Sequence, residues 1–208
     1  MRKNLMLVTL MTFPALGLAE QKQGMLAIRV VGNAELPRET LRQASVMAEG
    51  IFRMAGVETE WLPCYASEEK GACKFPSSEA QLVISILSAS MQTPSDPHVM
   101  GIAIHERSLA YVFYRNVEQS YLVGRDDGCS VLLAVVIAHE AAHLLGLEHS
   151  EAGIMRANFD TKDIKEFMQG RLKFNAIQRK QLRSAIGGRR RTDGEMTLIA
   201  SEPNAGDR

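Results

Sequence analysis

Three of the five histidines in this chain of 208 residues lie in one stretch, His139-Glu140-Ala141-Ala142-His143-Leu144-Leu145-Gly146-Leu147-Glu148-His149. Residues four apart on an α-helix lie on one face, so His139 and His143 can point to the same place. His149 follows six residues later, where a straight helix would not bring it to that place. The chain must therefore turn, and Gly146 tolerates the left-handed conformation in which helices commonly end.

These histidines predict a metal site. Neutral imidazole nitrogens bind zinc well, and a catalytic zinc site has three protein ligands and one position open to water. Glu140 adds a carboxylate that can take a proton from the bound water. The pattern therefore predicts one catalytic Zn²⁺ held by His139, His143 and His149, with Glu140 as general base of a hydrolase. A buried helix with unrelated histidines would not explain this agreement of separate positions.

The extended pattern resembles that of a known family. H-E-x-x-H-x-x-G-x-x-H followed by a turn with methionine is the signature of metzincin metallopeptidases, and Met155 follows the third histidine here. Ser150, directly after His149, makes the chain most similar to the matrixin branch. The resemblance implies an endopeptidase that hydrolyses peptide bonds, in which Gly146 and Met155 have structural roles.

The resemblance also implies an α+β, metzincin-like (zincin) fold. Its parts are a twisted mixed five-stranded sheet with a crossover helix and an active-site helix, and a small helical C-terminal subdomain. Apolar patterns place strands at 25–31, 57–62, 81–87, 101–104 and 110–114. The first two strands enclose a helix, which predicts a parallel pair. The resemblance makes Gly101 to His105 the antiparallel edge strand, which would pair with the substrate backbone.

Four helices are predicted. The first is opened by Pro37 and closed by Gly56, the active-site helix covers 131–147 with Asp127 as its N-cap, and a short third helix covers 160–169. Asn175 to Gln178 has the form of a capping box that opens the fourth helix, which we expect to end near Ile186 at Gly187 and Gly188.

The start of the chain predicts export. A positively charged beginning is followed by a short apolar run and by small residues up to Ala19, which is typical of a secretory signal peptide. An uncleaved membrane anchor is the alternative, but the run is short for a bilayer. We therefore expect a secreted or periplasmic protein with a signal peptide at 1–19. A catalytic domain follows at 20–187, divided after residue 146, and then a disordered tail at 188–208.

Export would favour a disulfide between Cys64 and Cys73, which enclose a short polar loop. Cys129 is left over, either as a buried thiol or as a partner for one of the others. Two histidines also lie outside the motif, His98 and His105. They are either remnants of a second metal site or ordinary loop and cleft residues.

Composition limits the partners. The formal net charge is zero and the charged fraction is 23%, so there is no general attraction to nucleic acid. We expect a peptide or protein substrate, no nucleic acid, no stable membrane insertion after signal cleavage, and a monomer. Between Lys162 and Arg191 there are ten Lys and Arg residues and only two acidic ones. This basic segment is either a solvated helix face or a site for an acidic partner. The rival function is a catalytically weak or silent zinc-binding domain that recognises peptides.

Overall fold

A computed structural model describes residues 26–33, 35–65, 81–87, 96, 98–120, 122 and 128–200, with the backbone alone over 189–200. The strands are β1 (Leu26–Gly32), β2 (Thr59–Tyr65), β3 (Gln81–Leu87), β4 (Gly101–Ile104) and β5 (Leu109–Phe113). The α-helices are α1 (Arg38–Met54), α2 (Tyr114–Glu118), α3 (Gly128–Leu144), α4 (Thr161–Met168) and α5 (Ala176–Ala200). The predicted signal peptide, Asp127 and Cys73 lie outside the described residues.

The strands form one mixed sheet in the order β2-β1-β3-β5-β4. Strands β1, β2, β3 and β5 run parallel to one another, and β4 is antiparallel to β5, with which it pairs. This confirms the predicted α+β fold with a mixed five-stranded sheet. It also confirms the parallel pairing of the first two strands and the antiparallel strand at the edge. Among the described residues, no strand pairs with the outer side of β4.

Helices α1 and α3 pack against each other and against the sheet. The inner face of α1 repeats apolar residues at helical spacing, namely Leu41, Ala44, Ala48, Ile51 and Phe52. Helix α3 differs, because it is buried on nearly all sides from Ser130 onwards. Its buried polar side chains are Ser130, His139 and Glu140. Burial of a polar side chain costs free energy unless the side chain is hydrogen-bonded or binds a ligand. His139 and Glu140 therefore mark a candidate site within the domain. No helix among the described residues has the length and apolarity needed to cross a membrane.

Helix α5 begins as predicted but its predicted end is wrong. Asn175 Oδ1 accepts a hydrogen bond from the Gln178 backbone at 2.9 Å, and Gln178 Oε1 accepts one from the Asn175 backbone at 2.9 Å, which is the predicted capping box. The helix then continues through Gly187 and Gly188 to Ala200. A glycine costs only about 1 kcal/mol inside a helix, and the Arg residues that follow are good helix formers, so the helix does not end there.

Candidate metal centre

The imidazoles of His139, His143 and His149 converge on one point. His139 Nε2 lies 2.9 Å from His143 Nε2 and 3.3 Å from His149 Nε2, and one ligand nitrogen from each ring lies within 4.8 Å of the other two. Zinc–nitrogen bonds of about 2.0–2.1 Å in a tetrahedral site separate two ligand nitrogens by about 3.3 Å. The three side chains therefore fit one zinc ion, and they form the only such group of His, Cys, Asp or Glu among the described residues.

Hydrogen bonds to backbone carbonyls orient two of these rings. The Nδ1 atom of His139 lies 2.8 Å from the Ile154 carbonyl oxygen, and that of His143 lies 2.7 Å from the Leu147 carbonyl oxygen. A carbonyl oxygen only accepts, so each Nδ1 carries the hydrogen and donates it. In a neutral ring this leaves the lone pair on Nε2, which faces the shared point. The two rings are thus held in the tautomer that a metal requires.

The protonation states of His139 and His143 also suit metal binding. Burial lowers the pKa of His139 to about 4, because the charged ring would lose its hydration. Burial also lowers the pKa of His143 below its ordinary value. Both rings are therefore neutral at pH 7, and protons compete little with a metal ion for Nε2.

The turn at Gly146 brings the third histidine to the other two. Gly146 has φ 84°, and its amide donates to the His143 carbonyl, while the amide of Leu147 donates to the Ala142 carbonyl. This hydrogen-bond pair is the Schellman motif that ends many helices, and it requires a residue that adopts the left-handed conformation without strain. The helix accordingly stops at Leu144, earlier than the predicted residue 147, and the chain folds back towards His149.

A second turn, around Met155, ties the first and third histidines together. The Ile154 carbonyl accepts the hydrogen bond from His139, and the Met155 carbonyl accepts one from the Ser150 amide at 2.8 Å. Met155 itself is fully buried in the core. The segment after His149 is therefore fixed against the same helix that carries the other two rings.

Glu140 lies in the cleft that these histidines line, which has a volume of about 500 Å³. Its side chain is only 5% exposed. Burial raises its pKa to about 8, because the carboxylate form is poorly solvated there. A zinc ion bound beside Glu140 would favour the carboxylate form again, and the carboxylate is the form that can act as a general base.

Two segments form the other walls of the cleft. Sequence analysis marked part of the first, Gly101 to His105, as the edge strand beside the substrate, but it gave the second no role. One wall contains residues 98–103, and it is anchored by Asn116, whose side-chain amide donates to the carbonyl oxygens of Asp96 at 3.3 Å and Val99 at 2.8 Å. His98 and His105 line this cleft, and neither belongs to a metal-binding group of described residues. They therefore act as cleft residues in this structure.

The opposite wall is the segment from Ala157 to Phe159. Phe159 packs its ring against His139, with 5.7 Å between ring centroids. Arg156 holds the segment by ion pairs of 2.8 Å to Asp160 and 2.6 Å to Asp163, and the two aspartates form the capping box of α4. Sequence analysis missed this cluster, because a basic residue followed four and seven residues later by acidic ones is common on any surface.

A side-chain link connects α5 to the residue that follows the third histidine. Gln178 is buried, and its side-chain amide donates to Ser150 Oγ at 3.0 Å. Ser150 Oγ in turn donates to the Ala152 carbonyl at 2.9 Å. The capping box of α5 therefore also braces the segment that carries His149.

We expect Ser150→Ala to lower the free energy of unfolding by about 1–2 kcal/mol, because it leaves the Gln178 amide buried without its acceptor. We also expect zinc to bind several-fold more weakly, up to about 10-fold, because His149 loses a support. Chelator competition and thermal unfolding measure the two effects. Asn175→Ala is the matched control: it removes the helix cap at a cost of about 1 kcal/mol and leaves the link to Ser150. Equal zinc affinity in all three proteins would show that the link does not support the ligand.

The cysteine predictions have different outcomes. Cys64 is buried in β2, and its predicted disulfide partner lies outside the described residues, so the disulfide stays a prediction. Cys129 is half-buried, and its thiol contacts the hydroxyl of Tyr114 at 3.8 Å. Burial raises the pKa of the Cys129 thiol, so it is not an activated nucleophile at neutral pH.

Comparison by sequence finds no relative. No protein-family model matches the chain, and no protein with a curated description matches it.

Comparison by structure does find similar proteins. A zinc-dependent peptidase from Methanocorpusculum labreanum superposes with a TM-score of 0.50 at 15% identity, over 74% of this chain and 99% of that one. Archaemetzincin from Methanopyrus kandleri superposes with a TM-score of 0.55 at 16% identity, over 82% of this chain and 99% of that one. At such identities the likeness establishes a shared fold.

Proposed function

We propose that this chain is a zinc-dependent endopeptidase of metzincin type that uses Glu140 as its general base. The observation that carries the proposal is the convergence of three imidazole Nε2 atoms, at the spacing that zinc requires, in the cleft that also holds the buried Glu140. The description of one structural neighbour as a zinc-dependent peptidase, and of the other as an archaemetzincin, supports the same chemistry.

The three histidines and Glu140 have different roles in the proposed reaction. His139, His143 and His149 would hold the zinc ion, which would supply a water with a pKa of about 7 and a Lewis acid for the substrate carbonyl. Glu140 takes the proton of the attacking water and later gives it to the departing amine. Its place among the residues that line the cleft, together with the three histidines, suits both steps. The backbone carbonyls behind His139 and His143 keep both rings oriented throughout.

The substrate binds along β4 in this proposal. The outer side of this strand has no neighbour in the sheet, and Ile102 is 52% exposed beside the cleft. An extended peptide can add itself to such an edge through backbone hydrogen bonds. The apolar residues that line the cleft, Val99, Leu122 and Phe159, would then receive an apolar side chain of the substrate.

Finer points of the assignment rest on the sequence. We place the chain nearest the matrixin branch on the evidence of Ser150, and we assign Met155 the role of packing beneath the metal. We also propose that the protein is exported, that Cys64 and Cys73 form a disulfide, and that the chain is a monomer. Mass spectrometry of the mature protein tests the signal cleavage and the disulfide, and size-exclusion chromatography with light scattering tests the monomer.

The deciding experiment is digestion of a quenched fluorescent peptide library by the purified mature chain. We expect cleavage that stops when a chelator removes the metal and returns when one equivalent of Zn²⁺ per chain is added, because the proposed mechanism depends on a metal-bound water. Cleavage that survives metal removal would contradict the proposal. Tight zinc and peptide binding without any cleavage would instead favour the silent peptide-recognition domain.

A further inference from the structure

Glycine occupies the first position of β4 although the backbone there does not require it. Gly101 pairs with Val112 of β5, and it is not among the glycines with positive φ. Glycine weakens a strand because it has no side chain to pack and loses more conformational freedom on folding. A side chain at this position would therefore be expected, unless something occupies its space.

Glu140 occupies that space. A Cβ atom added to Gly101 would lie 2.6 Å from Glu140 Cδ and 2.7 Å from Cγ, and nearer still to Oε1. Non-bonded carbon atoms are stable at about 3.5–4.0 Å, so the methyl group and the carboxylate cannot both keep these positions. The side chain of Glu140 thus rests directly on the bare backbone of the edge strand.

The Glu140 carboxyl group is the part that can shift, because it ends a flexible side chain that lines the cleft. Glu140 is almost fully buried, and its neighbours in α3, His139 and Ala141, are also buried. The helix is held in turn by the hydrogen bonds of its histidines to Ile154 and Leu147. A side chain added to the strand would therefore push the carboxylate out of the place that this structure gives it.

We propose that Gly101 is a positioning residue: its missing side chain seats the Glu140 carboxylate against β4. The inference rests on the proposed function, in which Glu140 is the base. Because β4 is also the strand that would bind the substrate backbone, the same contact sets the distance between the base and the scissile bond. Any larger residue at position 101 shifts the base relative to both metal and substrate.

A double-mutant cycle tests this role. We expect Gly101→Ala to lower kcat by about 100-fold, the effect of a displacement of about 1 Å of a catalytic group, with KM changed less than about 3-fold. Glu140→Asp shortens the side chain by one methylene and makes room for the new methyl. In the Glu140→Asp background, Gly101→Ala should therefore change the remaining kcat by less than about 3-fold. A glycine needed only for the sheet would cause the same loss in both backgrounds, and that result would overturn the proposal.

Crystal structures of the zinc-loaded native protein and of Gly101→Ala provide a readout that does not depend on activity. We expect the Glu140 carboxyl carbon to shift by at least about 0.9 Å, the distance needed to restore ordinary contact with the new methyl. A strand that moves away while the carboxylate stays in place would overturn the proposal. The matched control is Gly50→Ala in α1, where an added Cβ lies 3.9 Å from the Arg53 guanidinium, and both kcat and the position of Glu140 should stay unchanged.

The two proposals fail in different ways. If the native protein cleaves no peptide, the proposed function is contradicted, and the crystal structures still decide whether Gly101 seats Glu140. If the native protein cleaves peptides and Glu140 is needed, but Gly101→Ala keeps full kcat, only the positioning role is contradicted.

Discussion

Glu140→Ala lowers kcat/KM by about 1,000-fold or more, while one zinc ion per chain is retained. A positioned general base typically contributes 100-fold to 10,000-fold to a rate, and in the proposed mechanism the same carboxyl group serves both proton transfers. The metal stays because its three ligands are imidazoles, two of which are oriented by backbone carbonyls and not by Glu140. Steady-state kinetics on a peptide selected from the library, together with metal analysis of the same preparation, measure both quantities.

The stability of this variant separates a catalytic role from a structural one. No described hydrogen bond or ion pair compensates the burial of Glu140, whose raised pKa reflects that cost. We therefore expect the melting temperature of Glu140→Ala to equal or exceed that of the native protein, as is common when a strained functional group is removed. Glu58→Ala, at an exposed position, is the control that should alter neither rate nor stability. Full activity in Glu140→Ala would exclude the proposed mechanism.

His149→Ala weakens zinc binding by more than about 100-fold. Loss of residues that merely hydrogen-bond to zinc ligands already costs 10-fold to 100-fold in affinity, and loss of a direct ligand removes a whole bond. His149 is exposed and lies in the loop after Gly146, so its removal leaves no cavity in the core. Competition with a chromogenic chelator measures the affinity.

Zinc linkage provides a second measurement for this variant. A ligand that binds only the folded state stabilises it in proportion to the logarithm of its affinity, and a 100-fold weaker affinity removes about 2.7 kcal/mol of that gain. The melting temperature of His149→Ala should thus respond much less to added zinc than that of the native protein. His98→Ala changes an exposed cleft histidine outside the ligand group and should keep native zinc affinity. Native affinity in His149→Ala would show that the third ligand has been misassigned.

Several features of the site follow from local chemistry and were predictable for that reason. The spacing of His139 and His143 specifies one helix face, and Gly146 specifies where that helix must end, since few other residues adopt φ 84°. The capping box at Asn175 and Gln178 is likewise a local device. The edge strand at Gly101 was predicted through the resemblance, and the sheet order confirms it.

The end of α5 shows the limit of local rules. The two glycines at 187 and 188 suggested a stop, because glycine is common just after helices. Glycine permits a turn without enforcing one, and the structure continues the helix to Ala200. Gly146 does end its helix. The amides of Gly146 and Leu147 donate hydrogen bonds to the carbonyls of His143 and Ala142, and these bonds reverse the chain direction.

The sequence by itself indicated the groups of the candidate site: three imidazoles, a carboxylate and a glycine turn, at spacings typical of one helix and one reversal. Only the tertiary structure decided which groups support that chemistry. The carbonyl of Ile154 behind His139, the link from Gln178 to Ser150, and the contact of Gly101 with Glu140 join residues 15, 28 and 39 positions apart. Such contacts depend on how helices pack on the sheet, and no local spacing of residue types encodes them.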